Sequence, residues 1–214
     1  MKYQKKTGMS LFEQENTMES LSKMGNPLVL LKEIVDFEQF RDELEKLFTN
    51  DSKKNNAGRK PIDPVFMLKV LFLQRLYNIS DNQVEYQIKD RMSFREFLDI
   101  CSVDDVPDEK TVWKYKNIMA NAGIGIKLFE KFNEQLASMG LIVNEEQKEN
   151  NRVKSKTRCR IEHVYGFMEQ SMKGLFFRGV GMVRATFYIG FTNLVYNMCR
   201  LVQIKRYHPD WIMN

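Results

Sequence analysis

The chain is expected to fold as a mainly α protein, and three observations point to that class. Apolar residues recur at three- and four-residue steps along most of its 214 residues. Polar residues able to cap a helix stand immediately before those periodic runs. Glycines and short polar clusters separate the runs, as expected of tight turns.

Taken in order, Leu28, Leu30, Leu31, Ile34, Val35, Phe37, Phe40, Leu44 and Leu47 predict one or two amphipathic helices ending near Thr49. Residues 50–61 are polar, basic and rich in turn formers, which suits a linker. Phe66, Met67, Val70, Leu71, Leu73 and Leu76 predict a helix from Pro64 that breaks at Tyr77 and Asn78. Ser80, with Gln83 three residues on, reads as a capping box opening a helix over 81–89. Ser93 and Glu96 repeat the device for a short helix carrying Phe94, Phe97, Leu98 and Ile100. Asp108 is placed to cap a helix with Val112, Trp113, Tyr115, Ile118 and Met119. Gly123 and Gly125 then separate this group from a helix with Leu128, Phe129, Phe132, Leu136 and Met139, stopped by Gly140.

Beyond Gly140 the pattern changes. Residues 146–151 are charged and featureless. Basic residues alternate with others over 152–160, a pattern that also fits a strand, but the continuation through Ile161, Val164, Met168, Met172 and Leu175 favours one helix over about 153–173. A last helix over about 183–205 is apolar around most of its girth and has to be buried or paired.

Composition excludes several classes. With 43% hydrophobic and 29% charged residues the chain has an ordinary globular make-up, and no apolar run approaches the roughly 20 residues of a membrane span. The N-terminus lacks an apolar signal segment. Cys101, Cys159 and Cys199 form neither an even disulfide set nor a CxxC pair, so a reducing, cytoplasmic setting is expected. The motifs GxxxxGK[ST], GxGxxG and GxSxG do not occur, which leaves nucleotide hydrolysis, dinucleotide binding and serine-hydrolase chemistry without a motif.

The net charge of +5 is unevenly spread. Residues 1–147 carry 21 Lys and Arg against 24 Asp and Glu, whereas residues 148–214 carry 12 against 4. A basic final third suits a polyanion, because cations placed at phosphates release condensed counterions; a solvated basic face accounts for the same numbers. Within 64–119, several short capped helices, one carrying Lys110, Thr111, Lys114 and Lys116, fit a helix-turn-helix-like DNA-binding domain. They equally fit an ordinary bundle with Trp113 in its core. On a helix Arg152, Lys156 and Arg160 share one stripe, Lys154 and Arg158 a second, and Arg158 lies one turn before Glu162. That carboxylate among cations, next to His163, reads either as a surface ion pair or, functionally, as a metal ligand or a residue near a scissile phosphate.

These residues carry a resemblance. The blocks Gly58-Arg59-Lys60-Pro61-Ile62-Asp63-Pro64, Leu76-Tyr77-Asn78-Ile79-Ser80-Asp81, Val106-Pro107-Asp108-Glu109-Lys110-Thr111 and Gly140-Leu141-Ile142-Val143-Asn144 resemble the N-terminal domain of bacterial DDE transposases of the insertion-sequence-five branch. Arg158-Cys159-Arg160-Ile161-Glu162-His163-Val164-Tyr165-Gly166, Met172-Lys173-Gly174, Arg178-Gly179-Val180-Gly181, Arg184-Ala185 and Asn193-Leu194-Val195-Tyr196-Asn197 are similar to the end of the same proteins.

The resemblance implies a ribonuclease-H-like sheet with two catalytic aspartates between those blocks and a final catalytic glutamate, which Glu162 matches. Here the aspartates are missing: after Asp108 the next is Asp210, and only Glu145, Glu146 and Glu149 lie between Val143 and Glu162. Metal-assisted strand transfer needs carboxylates held rigidly around divalent ions, so Glu162 reads as vestigial and the sheet as largely absent.

The domains expected are N-terminal helices and linker (1–57), a helical DNA-binding domain (58–140), a linker (141–151) and a remnant of the catalytic domain (152–214). The DNA-contacting residues expected are Arg59, Lys60, Lys110, Thr111, Lys114, Lys116, Arg152, Lys154, Lys156, Arg158 and Arg160, with double-stranded DNA as partner. Phe176, Phe177, Phe187, Phe191 and Leu194, deprived of a sheet, call for cover by the N-terminal domain or a second copy, and the homodimer is the solution favoured.

The function implied is that of an inactive, transposase-derived DNA-binding protein of the nucleoid, which represses transposition or transcription by holding transposon ends or pairing with full-length transposase. It requires no cofactor. The alternative is an active strand-transfer enzyme in which Glu145, Glu146 and Glu162 of two chains bind Mg²⁺, and a further option is a remnant or oligomerisation module without a DNA role.

Overall fold

A computed structural model of the chain describes residues 16, 17, 19, 20, 23, 25–48, 62–100, 102, 105–141, 168, 172 and 181–207. Among them every regular element is helical, and no helix is long and apolar enough to cross a membrane. The elements are α1 (Pro27–Ile34), a 3-10 turn (Glu38–Phe40), α2 (Arg41–Phe48), α3 (Pro64–Leu76), α4 (Asp81–Asp90), α5 (Met92–Leu98), α6 (Glu109–Asn121), α7 (Ile124–Ser138) and α8 (Met182–Tyr207).

Helix α3 is the axis of the domain. It touches α2, α4, α5, α6 and α8, and its sequence PVFMLKVLFLQRL buries Val65, Met67, Leu68, Val70, Leu71, Phe72 and Leu73. A helix apolar around most of its girth has no stable place except inside other helices. Its start is fixed from three directions. Pro64 occupies the first turn, where its missing N–H costs nothing, and Asp63 Oδ2 accepts the Phe66 N–H at 3.1 Å. Arg41, on α2, donates to Asp63 at 2.7 Å, to Glu38 at 2.6 Å and to Glu45 at 3.2 Å. From α6 the Tyr115 hydroxyl donates to the Ile62 carbonyl at 2.9 Å. Around the α3 midpoint Phe37, Phe72 and Phe97 meet edge-on or tilted at 5.5–5.9 Å between ring centres, an arrangement aromatic quadrupoles favour.

The α3 boundaries and the Asp108 cap follow expectation: Asp108 Oδ1 accepts the Thr111 N–H at 2.8 Å. Three local devices differ. Ser80 precedes α4 but its hydroxyl accepts no backbone N–H of the first turn; it donates to the Asn82 side chain. Ser93 lies inside the first turn of α5, whose cap position is Arg91, and Ile100 falls beyond the helix end, after Asp99 has turned left-handed. Gly123, at φ +62°, is the separator expected, but Gly125 is inside α7. Its role is packing.

That packing joins the last helix to the rest. A Cβ built on Gly125 would lie 2.9 Å from the Phe187 carbonyl oxygen, and one built on Gly190 would lie 3.0 Å from the Gly125 carbonyl carbon and the Ile126 nitrogen. The backbones of α7 and α8 therefore meet where neither bears a side chain. From this crossing α8 runs along α7 and also touches α6, α1 and α3, burying Phe187, Phe191, Leu194, Val195, Met198 and Leu201. Of the two covers expected for these residues, the N-terminal helices of the same chain supply the one over Phe187, Phe191 and Leu194. Phe176, Phe177, the linker at 50–61 and the helix expected over 153–173 lie outside the described residues or largely so.

Lys131 ties α7 to the α2 region, donating to the Gln39 carbonyl at 2.6 Å and to Glu43 Oε1 at 2.7 Å. Burial alone would push the Glu43 carboxyl up, but the Lys131 ammonium and nearby Lys46 more than reverse this and hold it below its ordinary value.

Two tests follow from these contacts. Gly190→Ala is expected to cost about 1–3 kcal/mol by forcing backbones apart, against a gain of about 1 kcal/mol for the same change in an unconstrained helix; urea midpoints decide the sign. A carboxyl depressed by folding stabilises above its unfolded pKa, and the contribution fades as pH falls through the folded value. Glu43→Gln should accordingly be less stable than the parent at neutral pH, the difference shrinking only as pH falls below the ordinary glutamate range of about 4.3, as read by denaturant midpoints.

Candidate nucleic-acid interface and the cleft behind it

Helix α6 has two faces set by its period. Val112, Tyr115 and Met119 point into the core, while Lys110, Trp113 and Lys114 stand outward at steps of three and four. Trp113 is 51% exposed, so it does not form the centre of a bundle. A large aromatic flanked by two exposed lysines is a surface suited to phosphates and to stacking. Arg184, in the first turn of α8, lines a shallow hollow together with Trp113, Lys116 and Asn117, and so adds a third cation from a distant part of the chain.

The other expected α6 residues are placed differently. Thr111 is half-buried in the first turn, with its backbone N–H committed to Asp108. Lys116 turns away from Lys110 and Lys114. Its side chain is 12% exposed, is paired with Asp81 of α4 and lies 5.9 Å from the centre of the Tyr188 ring. Arg59, Lys60, Arg152, Lys154, Lys156, Arg158, Arg160 and Glu162 lie outside the described residues. Among the described residues no group of three His, Cys, Asp or Glu side chains could hold a metal ion.

Behind α6 a cleft of about 250 Å³ opens between α3, α4, α6 and α8. Leu71, Phe187 and Phe191 form an apolar wall, with the two phenyl rings stacked at 5.5 Å. Gln74, Arg75, Asn82 and the Asp81–Lys116 pair form the polar side. Gln74 Nε2 donates to the same Asp81 oxygen that Lys116 contacts.

Arg75 Nε donates to Thr192 Oγ1 at 2.7 Å, and that hydroxyl donates in turn to the Tyr188 carbonyl at 2.6 Å. Burial pushes the Arg75 guanidinium down from its ordinary pKa, an effect partly offset by Tyr188. Among the described residues the buried polar or charged side chains are Gln74, Arg75 and Thr192. All three belong to this cleft or support it, and buried polar groups are retained only where hydrogen bonds offset their desolvation.

Residues 16–117 match the family model of a transposase domain (DUF772). The chain carries a transposase-related domain. The match runs from before α1 to Asn117 on α6, so it includes the Lys110, Trp113 and Lys114 stripe and the α3 and α4 sides of the cleft; α7 and α8 lie beyond it. No solved structure matches the chain.

Spacing singled out Lys110 and Lys114 but missed Arg184 and the cleft. Arg184 joins the transposase domain only through the packing of α8. For the cleft a signal was present: Gln74 and Arg75 follow each other in a helix whose one other charged residue is Lys69.

Replacing Thr192 by Val keeps the shape and removes the acceptor of a buried guanidinium N–H. A loss of about 1–3 kcal/mol is expected, measured by urea unfolding.

Proposed function

We propose that this protein is a transposase-derived DNA-binding protein of the DDE class, insertion-sequence-five branch, that holds double-stranded transposon-end DNA along α6. The observation that carries this reading is the outward stripe of Lys110, Trp113 and Lys114 within the segment that matches a transposase domain. Phosphate contacts from these lysines and Arg184 would supply affinity and orientation, and the basic residues at 152–160 would extend the contact along the duplex.

Catalytic inactivity is part of the proposal. Its support is the absence of any aspartate between Asp108 and Asp210, where the resemblance calls for two. Three carboxylates fixed on a rigid frame are needed to hold divalent ions for in-line phosphoryl transfer. An inactive protein that occupies transposon ends, or pairs with a full-length transposase, represses transposition or transcription by competition. The missing segment amounts to an internal deletion, leaving the Glu162 region as its remnant. Assembly of two copies would raise avidity, although burial of the α8 face within one chain removes the apolar argument for it.

Fluorescence anisotropy with inverted-repeat duplexes, followed across salt concentration, tests the binding. The parent is expected to show steep salt dependence. Lys110→Glu with Lys114→Glu should weaken binding at every salt concentration and flatten the log–log slope by about 2, near 0.9 for each phosphate left without its lysine. Absence of salt-dependent affinity for any duplex would end the DNA reading. Mg²⁺- or Mn²⁺-dependent nicking abolished by Glu162→Gln would end the inactive one.

A further inference from the structure

A helical bundle of this size ordinarily closes its interior with apolar side chains. Here the space between α3, α4, α6 and α8 stays open and is two-sided. One side is lined by Phe187, Phe191 and Tyr188, and the other by Gln74, Asn82 and Asp81, with Gln74 Nε2 and the Lys116 ammonium both on one Asp81 oxygen. Aromatic faces hold bases by stacking, while amides and carboxylates read the donors and acceptors on base edges. At about 250 Å³ the cleft is smaller than the roughly 300–1,000 Å³ of drug-sized ligand sites, which suits one ring system rather than a base pair.

Its position supplies a route. Asp81, Lys116, Phe187 and Tyr188 line both this cleft and the shallow hollow beneath Trp113 and Arg184. The cleft thus adjoins the outward stripe of α6. A base rotated out of a duplex seated on that stripe would have to travel only past the Asp81–Lys116 pair, whose ammonium sits beside the Tyr188 ring.

We propose that this cleft binds a single unpaired nucleobase, delivered by DNA held along α6; the delivery rests on the DNA-binding reading above, whereas the chemistry of the cleft does not. A free nucleotide presents the same base, so the two sources have to be separated.

Anisotropy with the full chain would compare two duplexes, one with a single bulged adenine and one with an abasic residue in its place. The adenine bulge is expected to bind about tenfold more tightly, within the range of base–aromatic stacking. Asn82→Ala, at an exposed position, and Gln74→Leu should each move that ratio toward one. Circular dichroism checks that both variants fold.

In parallel, deoxyadenosine monophosphate alone would be titrated against the Gln74 and Asn82 side-chain amide resonances, assigned from the same variants. Amides that shift while the two bulges bind equally, or while no duplex binds, support the cleft with the free nucleotide as source. Equal affinity for the two bulges with unmoved amides overturns the cleft and leaves DNA binding standing. Absence of both duplex binding and amide shifts overturns the two readings together.

Discussion

Two helix backbones reach contact distance only where neither carries a side chain at the crossing, and α7 and α8 meet that condition at Gly125 and Gly190. The rest of the architecture depends on this close approach. It seats α8 against α7, α6, α1 and α3, and it fixes the rotation that turns Phe187 and Phe191 inward and brings Thr192 to Arg75. Separate the two helices by the width of a methyl group and the cleft loses the register of its aromatic wall, while Arg75 Nε loses its acceptor.

The polar cluster behind α6 has the character of a functional compromise. Burying a guanidinium and an amide, and half-burying an ion pair, costs desolvation that apolar packing would avoid, and here the compensation is local: Gln74 and Lys116 converge on Asp81, and Arg75 on Thr192. The same cluster joins three helices within the matched transposase domain to one beyond it. The outward face of α6 is different in kind. Lys110, Trp113 and Lys114 are exposed rather than drawn into the core, so they remain open to a partner.

Much of the helical framework was legible because it is local. The bounds of α3, the Asp108 cap and the left-handed turn at Gly123 follow from residue type and period. The devices that failed are those in which a side chain had a choice: the Ser80 hydroxyl found Asn82 rather than a backbone N–H, and Ser93 entered the helix it was expected to cap. Lys116 shows the same limit for the site. Its spacing from Lys114 and Lys110 says nothing about Asp81, 35 residues earlier, whose carboxylate draws it into the cleft.

By itself the amino-acid sequence determined that the chain is helical, where most of the helices lie, that Lys110 and Lys114 share a face, and that no aspartate separates Asp108 from Asp210. Those properties depend on residues a few positions apart or on mere presence. Tertiary structure alone decided that Gly125 is a crossing point rather than a break, that α8 is covered by its own chain, and that Arg184 stands beside Trp113. Each of these depends on residues brought together across 60 or more positions by burial of apolar surface, which acts on area and fit and leaves no periodic trace along the chain.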